Sequence, residues 1–248
     1  MRPKFCVDRS EDYERGRSVV TLWDTAHTEI LDCWVIEDHD DLKKCREELE
    51  GIIHSIFRSV DGEVNQWGQG TLTTFVRLQG CNLDCSYCDT KKSQNPNSGV
   101  EISIPELIEK VEKTGVGKHK LTITGGEPYL QKKELAEFFD QFFERNPFVE
   151  ISIETNGTFK PCWYSVCHII DYKLPSSGME KYMYLDHYKD LLEKDFVKFV
   201  IMNKSDFIAA CAVMKDLKND VRIKCRARFA FSPVHGRLDP GTLMSWMF

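Results

Sequence analysis

From residue 53 to residue 231 the chain alternates short runs of β-branched and aromatic residues with longer amphipathic stretches. That alternation predicts a mainly parallel sheet with covering helices. Residues 71–78 read as the first strand of the series, and 121–124 as a short strand ending in a pair of glycines. Strands are also predicted over 149–154, 168–171, 196–202, 221–224 and 228–231. A helix is expected from Ser103 to about Lys113. Ser103 caps it, and Pro105 falls in the first turn, where its missing N–H has no helical partner. Residues 132–145 place Leu135, Phe138, Phe139, Phe142 and Phe143 along one helical face. Further helices are expected over 184–194 and 205–217. About six such units in series would curl into a partial barrel, an α/β fold whose chemistry gathers at the carboxyl ends of its strands.

Residues 1–51 have a different character. Segments 19–23 and 33–36 can pair as a hairpin, and 40–49 read as a charged helix. Trp23, Ile30, Trp34 and Ile36 favour a small accessory subdomain over a disordered arm. The expected division is an accessory segment over 1–51 and a core domain over 52–248. A chain of 248 residues can bury a sizeable core. No apolar run is long enough to span a bilayer, and the first residues lead into charged sequence instead of an apolar signal core. A cytoplasmic setting is therefore expected, with no membrane partner. The net charge of −6, without a basic stripe, leaves no footprint for nucleic acid. A small molecule is the expected substrate.

Ten cysteines in such a chain favour reduced thiols and metal binding over disulfides. Cys81, Cys85 and Cys88 stand on one loop just after the first predicted strand, in Gly-Cys-Asn-Leu-Asp-Cys-Ser-Tyr-Cys-Asp-Thr. Iron–sulfur clusters are normally held by four thiolates. A tight three-cysteine loop therefore suggests a [4Fe–4S] cluster with one iron open to another ligand. A zinc site would need a fourth ligand nearby, and Asp89 is a poor one beside three thiolates. The other seven cysteines, Cys162 and Cys167 among them, lack cluster-like spacing and read as free, mostly buried thiols.

The C-x3-C-x2-C spacing, with Tyr87 before the last cysteine, resembles the signature of the radical S-adenosylmethionine superfamily. Further motifs accompany it in order: 57–62 (Phe-Arg-Ser-Val-Asp-Gly), 75–80 (Phe-Val-Arg-Leu-Gln-Gly), 88–90 (Cys-Asp-Thr), 124–128 (Thr-Gly-Gly-Glu-Pro), 154–158 (Glu-Thr-Asn-Gly-Thr), 171–173 (Asp-Tyr-Lys) and 231–235 (Phe-Ser-Pro-Val-His). The series is similar to the 7-carboxy-7-deazaguanine synthase family over roughly residues 53–236. The resemblance implies a partial (β/α)6 barrel of the radical S-adenosylmethionine type with a small N-terminal extension. It implies a [4Fe–4S] cluster, S-adenosyl-L-methionine and Mg2+ as cofactors, with flavodoxin or ferredoxin as reductant and a homodimer as assembly. The implied reaction converts 6-carboxy-5,6,7,8-tetrahydropterin to 7-carboxy-7-deazaguanine with loss of ammonia.

Residue roles follow from the same resemblance. Cys81, Cys85 and Cys88 would bind three irons, and the fourth would take the amino and carboxylate groups of S-adenosylmethionine, whose cleavage gives a 5′-deoxyadenosyl radical. Tyr87 would lie against adenine, with backbone through Cys88 and Asp89 lining the nucleoside. Gly126 and Glu127 would hold the methionine ammonium. Asp171, Tyr172 and Lys173, with Ser232, Pro233 and Val234, would line the cofactor, although a solvated ion pair is the plainer reading of Asp171 and Lys173. The Thr90 hydroxyl would bind Mg2+. Val60, Asp61, Gly62, Arg77 and Thr124 match substrate-contacting positions, and Arg77 can pair bidentately with the substrate carboxylate. Glu154 and Asn156 stay open between cofactor contact and loop capping. No catalytic residue is assigned beyond the cofactor-derived radical.

Two departures stand out. Asp61 replaces the neutral amide usual in the family, and the family's Gln-x-His-Lys strand is missing before the end at Phe248. Two expectations follow: a shortened chain, or a pocket that closes differently, with the N-terminal segment or a second subunit. Two other readings remain: a glycyl-radical enzyme activase, from Asp61-Gly62 and the glycines after it, and an iron–sulfur binding protein that does not turn over.

Overall fold

The computed structural model describes residues 6–12, 17–23, 30–36, 50–115, 120–219 and 225–248. Three strands, β1 (Cys6–Asp12), β2 (Arg17–Trp23) and β3 (Ile30–Ile36), form an antiparallel sheet in that order. The expected hairpin is β2–β3, with Val20 opposite Trp34, and β1 adds a strand that the sequence pattern does not predict. The predicted helix over 40–49 and strand over 221–224 lie outside the described residues.

The main sheet has eight strands: β4 (Glu50–Val60), β5 (Leu72–Leu78), β6 (Val100–Ser103), β7 (Lys120–Gly125), β8 (Glu150–Thr155), β9 (Cys167–Asp171), β10 (Phe196–Ile201) and β11 (Arg228–Pro233). Their spatial order is β11-β10-β9-β8-β7-β5-β4-β6. From β5 through β7 to β11 the neighbours are parallel. β4 runs antiparallel to β5, with Val60 opposite Leu72, so its end lies beside the beginning of β5. The pattern does not predict β4, whose string Glu-Gly-Ile-Ile-His-Ser-Ile-Phe-Arg-Ser-Val lacks strict alternation.

Helices α1 (Ile104–Lys113), α2 (Lys132–Arg145), α3 (Lys204–Asn219) and α4 (Pro240–Met247) cover the sheet. α1 starts as expected: the Ser103 hydroxyl accepts from the Glu106 N–H at 3.4 Å. The helix expected over 184–194 is not formed. A single 3-10 turn spans Leu185–Tyr188, and Asp190 adopts φ 64°, which a helix cannot continue through. Leu185, Tyr188 and Leu191 have helix-like spacing, but they reach the core from an irregular segment. The fold is a partial barrel in which the β8–β9 and β9–β10 connections carry no α-helix.

Side chains alternate across each strand. Val76, Leu78, Leu121, Ile123, Ile151 and Ile153 face outward onto Leu107 and Ile108 of α1 and Leu135, Phe138 and Phe142 of α2. Val197, Phe199 and Ile201 form a second cluster with Tyr188, Ala210 and Leu243. The opposite faces line the barrel interior. There the loop after β4 closes one end: Val64 and Trp67 pack on Cys167, Ile169 and Phe196, near the amino-terminal ends of β9 and β10. Among the described residues, no helix is long and apolar enough to cross a membrane.

Candidate active site

The sequence motifs from β5, β7, β8, β9 and β11 all emerge at the carboxyl ends of those strands. The thiol loop leaves β5 through Gly80, at φ 99°. It is tied down on both sides. Gly80 N–H donates to Ser93 O at 2.7 Å and Cys81 N–H to Gln94 O at 3.0 Å, while the Ser86 hydroxyl donates to Ser176 O at 2.6 Å. Cys81, Cys85 and Cys88 are free thiols. Burial pushes the Cys81 and Cys85 thiols up, against the Leu83 N–H at Cys81 and the Lys173 charge at Cys85. Metal ligation removes those protons. Among the described residues, no three side chains converge as a single metal ion requires. Three thiols on one pinned loop suit the donor chemistry of an iron–sulfur cluster, which takes cysteine thiolates. Asn156 donates from Nδ2 to Cys81 Sγ at 3.7 Å, a contact of the kind that tunes cluster potential.

The Gly125-Gly126 turn meets this loop directly. Gly126 N–H donates to Leu78 O at 3.1 Å and Glu127 N–H to Gly80 O at 2.7 Å, and a Cβ at Gly126 would collide with the Gly80 carbonyl. The Glu127 carboxylate is fully buried. It accepts from Tyr129 N–H at 3.0 Å, the Thr155 hydroxyl at 2.7 Å and Asn156 N–H at 2.7 Å. Burial, opposed by those bonds, pushes its carboxyl up to about 6. Three of its roughly four acceptor positions are used, which leaves one for a ligand cation.

Asp171 and Lys173 pair at 2.5 Å at the mouth. Burial works against the Lys173 ammonium, but the adjacent Asp171 charge outweighs it and holds the proton more tightly than usual. The Tyr87 hydroxyl is buried without a hydrogen-bond partner, and burial pushes it up to about 12. An orphaned donor next to the thiols suits a polar cofactor. The Tyr172 ring turns away into the outer core, with its centroid 5.4 Å from that of Tyr188, so its backbone is what faces the mouth. Ser232 and Pro233 end β11 beside Val200 and Ile201, and Val234 N–H donates to Ile201 O at 2.8 Å.

Below the mouth, inward-facing side chains of β5, β7 and β8 stand side by side. Arg77 is in register with Thr124, and the Thr124 hydroxyl donates to Glu154 Oε2 at 2.8 Å, which sets a row across β5, β7 and β8. The Arg77 guanidinium sits 5.5 Å over the Phe57 ring, which stacks on Phe75. Its Nε is buried without a partner, and no carboxylate of the described residues pairs with it. Burial pushes the Glu154 carboxyl up to about 7, against the pull of the Lys198 charge. Lys198 itself is ion-paired with Glu63, which rises from the floor loop. Deeper still, Asp61 and Lys120 form a closed ion pair beside the Thr73, Thr122 and Ser152 hydroxyls.

The structure thus gathers Cys81, Cys85, Cys88, Tyr87, Gly126, Glu127, Asp171, Lys173, Ser232 and Val234 around one mouth, with Arg77 and Thr124 just inside. Thr90 adjoins the thiols, its hydroxyl 3.8 Å from Cys88 Sγ, and Asp89 is exposed beside it. Val60, Asp61 and Gly62 are not brought there. They sit beside the beginning of β5, at the opposite end of the barrel. The Asp61 carboxylate also accepts from Thr122 at 3.2 Å and Glu63 N–H at 2.9 Å, so its acceptors are taken by the protein. Sequence reasoning missed Lys198, Glu63 and Lys120. A signal exists for Lys198, the one charged residue in Phe-Val-Lys-Phe-Val-Ile.

The description "Radical SAM superfamily" matches residues 75–163. The 7-carboxy-7-deazaguanine synthase of Clostridium acetobutylicum is 33% identical over 197 residues, which cover 77% of this chain and 85% of that protein. The protein of the same name from Methanospirillum hungatei is 37% identical over 190 residues, 74% of this chain and 73% of its own. Among solved structures, QueE from Escherichia coli superposes with a TM-score of 0.63 over 86% of this chain and 97% of that one. At 21% identity that likeness concerns the fold alone.

Proposed function

This chain belongs to the 7-carboxy-7-deazaguanine synthase family of radical S-adenosylmethionine enzymes, and from that membership we propose that it converts 6-carboxy-5,6,7,8-tetrahydropterin to 7-carboxy-7-deazaguanine with loss of ammonia. The observation that carries the reading is Arg77, a guanidinium without an acid partner among the described residues, on the strand that leads into the three-thiol loop. Arginine and carboxylate pair bidentately, and a desolvated site strengthens the pair.

A [4Fe–4S] cluster and S-adenosylmethionine, both implied by the family, would supply the hydrogen-abstracting radical when bound. Cys81, Cys85 and Cys88 would hold the irons. Gly126 backbone and the remaining acceptor of Glu127 would take the methionine ammonium, Asp171 and Lys173 the polar groups beside it, and Tyr87 the adenine. The Thr90 hydroxyl does not cap the turn that follows it, which leaves it for Mg2+ next to the substrate carboxylate. Val60, Asp61 and Gly62 would then act by holding the floor. A flavodoxin or ferredoxin reductant, a homodimer, a cytoplasmic setting and an accessory role for residues 1–51 belong to the same proposal. The test is anaerobic incubation of the reconstituted protein with the tetrahydropterin, reductant and S-adenosylmethionine. A deazapurine product is expected, less of it without Mg2+. No product from protein with a verified four-iron spectrum rejects the assignment.

A further inference from the structure

We propose that Asn156 is a positioning residue for the iron–sulfur cluster: its side-chain amide, held in one orientation by its own turn, donates to the Cys81 sulfur and makes the cluster easier to reduce. This rests on the cluster named above and is independent of the substrate assigned there.

The sequence Glu-Thr-Asn-Gly-Thr at the end of β8 builds a tight turn. Gly157 adopts φ 80°, and a Cβ there would strike the Tyr188 hydroxyl and the Asp171 carbonyl, which reserves the position for glycine. An asparagine in such a turn folds its side chain back onto the backbone two residues on. Here Asn156 Oδ1 accepts from the Thr158 N–H at 3.0 Å and from the Thr158 hydroxyl at 2.7 Å. A backbone N–H can only donate, so the amide cannot be turned end for end. Its Nδ2 is thereby left for the thiol loop.

Both Nδ2 hydrogens find partners on that loop, Asn82 Oδ1 at 2.9 Å and Cys81 Sγ at 3.7 Å. Asn82 Nδ2 donates in turn to the Thr158 hydroxyl at 2.9 Å, so three side chains close a ring that locks the amide in place. Asn156 N–H donates to Glu127 Oε2 at 2.7 Å, which anchors the ring to the Gly125-Gly126 turn as well. Cys81 Sγ also accepts from the Leu83 N–H at 3.5 Å, and Cys88 Sγ meets the Thr90 hydroxyl at 3.8 Å, but both partners belong to the loop itself. Among the described residues, Asn156 is the one donor to the three thiols that comes from another part of the chain. It is buried, so solvent competes little for the bond. Ligation makes Cys81 Sγ a thiolate, and reduction adds negative charge that this sulfur shares. A fixed donor stabilises the more negative state more, which is how hydrogen bonds to the sulfurs set a cluster's potential.

The test is a potentiometric titration of the anaerobically reconstituted protein, read by the electron paramagnetic resonance signal of the reduced cluster. Asn156→Ser keeps a hydroxyl that can cap the turn but is too short to reach Cys81. It should make reduction about tenfold less favourable, a fall of about 59 mV for one electron. Asn156→Asp keeps the side-chain shape and the cap, loses the donor and adds a charge, and should lower the potential at least as far. Thr158→Val breaks the ring but leaves Nδ2 beside the sulfur, so its potential should match wild type. A four-iron spectrum with an unchanged potential in Asn156→Ser overturns the assignment and leaves the proposed reaction standing, whatever happens to the melting temperature. A fall in Thr158→Val as large as that in Asn156→Ser also overturns it, because the turn and not the amide would then be responsible. A wild type without a four-iron spectrum removes the cluster reading and this inference with it.

Discussion

The side chains of Lys120 and Asp61 are 2% and 1% exposed and ion-paired, and Thr122 and the Glu63 backbone complete the acid's shell. Removing one member leaves an uncompensated buried charge. Lys120→Met is therefore expected to lower stability by about 3–5 kcal/mol, and the double variant D61N/K120M to recover most of that, read by urea unfolding. A ligand-contacting Asp61 would instead show itself in substrate affinity with little change in unfolding. At this scale the sequence was legible where partners are close along the chain. The three cysteines fall within eight residues, and Arg77 lies on the strand just before them. It was not legible where the partner comes from elsewhere in the sheet. Lys198 meets Glu63 across 135 positions, and Thr124 meets Glu154 across 30. No spacing rule connects such residues; strand register brings Thr124 to Glu154, and the fold of the loop after β4 brings Glu63 to Lys198.

Among the elements, the loop after β4 does the most to shape the site. Trp67 lies on the lower ends of β9 and β10, and the Lys120 ammonium sits 5.9 Å over its ring. Trp67→Ala should remove about 3 kcal/mol of stability and weaken 6-carboxypterin binding, while S-adenosylmethionine affinity at the far mouth stays near that of wild type; titration calorimetry distinguishes the two. Helices α1 and α2 could be read in advance because a Ser103 cap and a run of phenylalanines are local signals. The segment 184–194 misled because apolar periodicity does not register a left-handed residue such as Asp190. β4 was missed for the opposite reason: its partner β5 stabilises it, and its own pattern does not announce a strand.

Over the whole molecule, packing and chemistry occupy opposite ends. The apolar clusters lie outside the barrel, the floor seals one end, and the thiols stand at the other. Cys88→Ala is then expected to abolish the four-iron absorption while the far-ultraviolet circular dichroism and melting of the apoprotein hold within a few degrees. A collapsed fold in that variant would mean that the thiol loop supports the barrel. The partial barrel could be foreseen from alternation and the motif series. Its two helix-free crossings could not, since the segments between β8 and β9 and between β9 and β10 carry apolar residues at spacings that do not distinguish a helix from an irregular packed segment.

Gly126 carries a last consequence. Because even a methyl group there would strike the Gly80 carbonyl, the thiol loop and the Gly125-Gly126 turn are keyed together like two teeth of one gear. Neither can drift without dragging the other, so the distance between the two segments is set by the backbone alone.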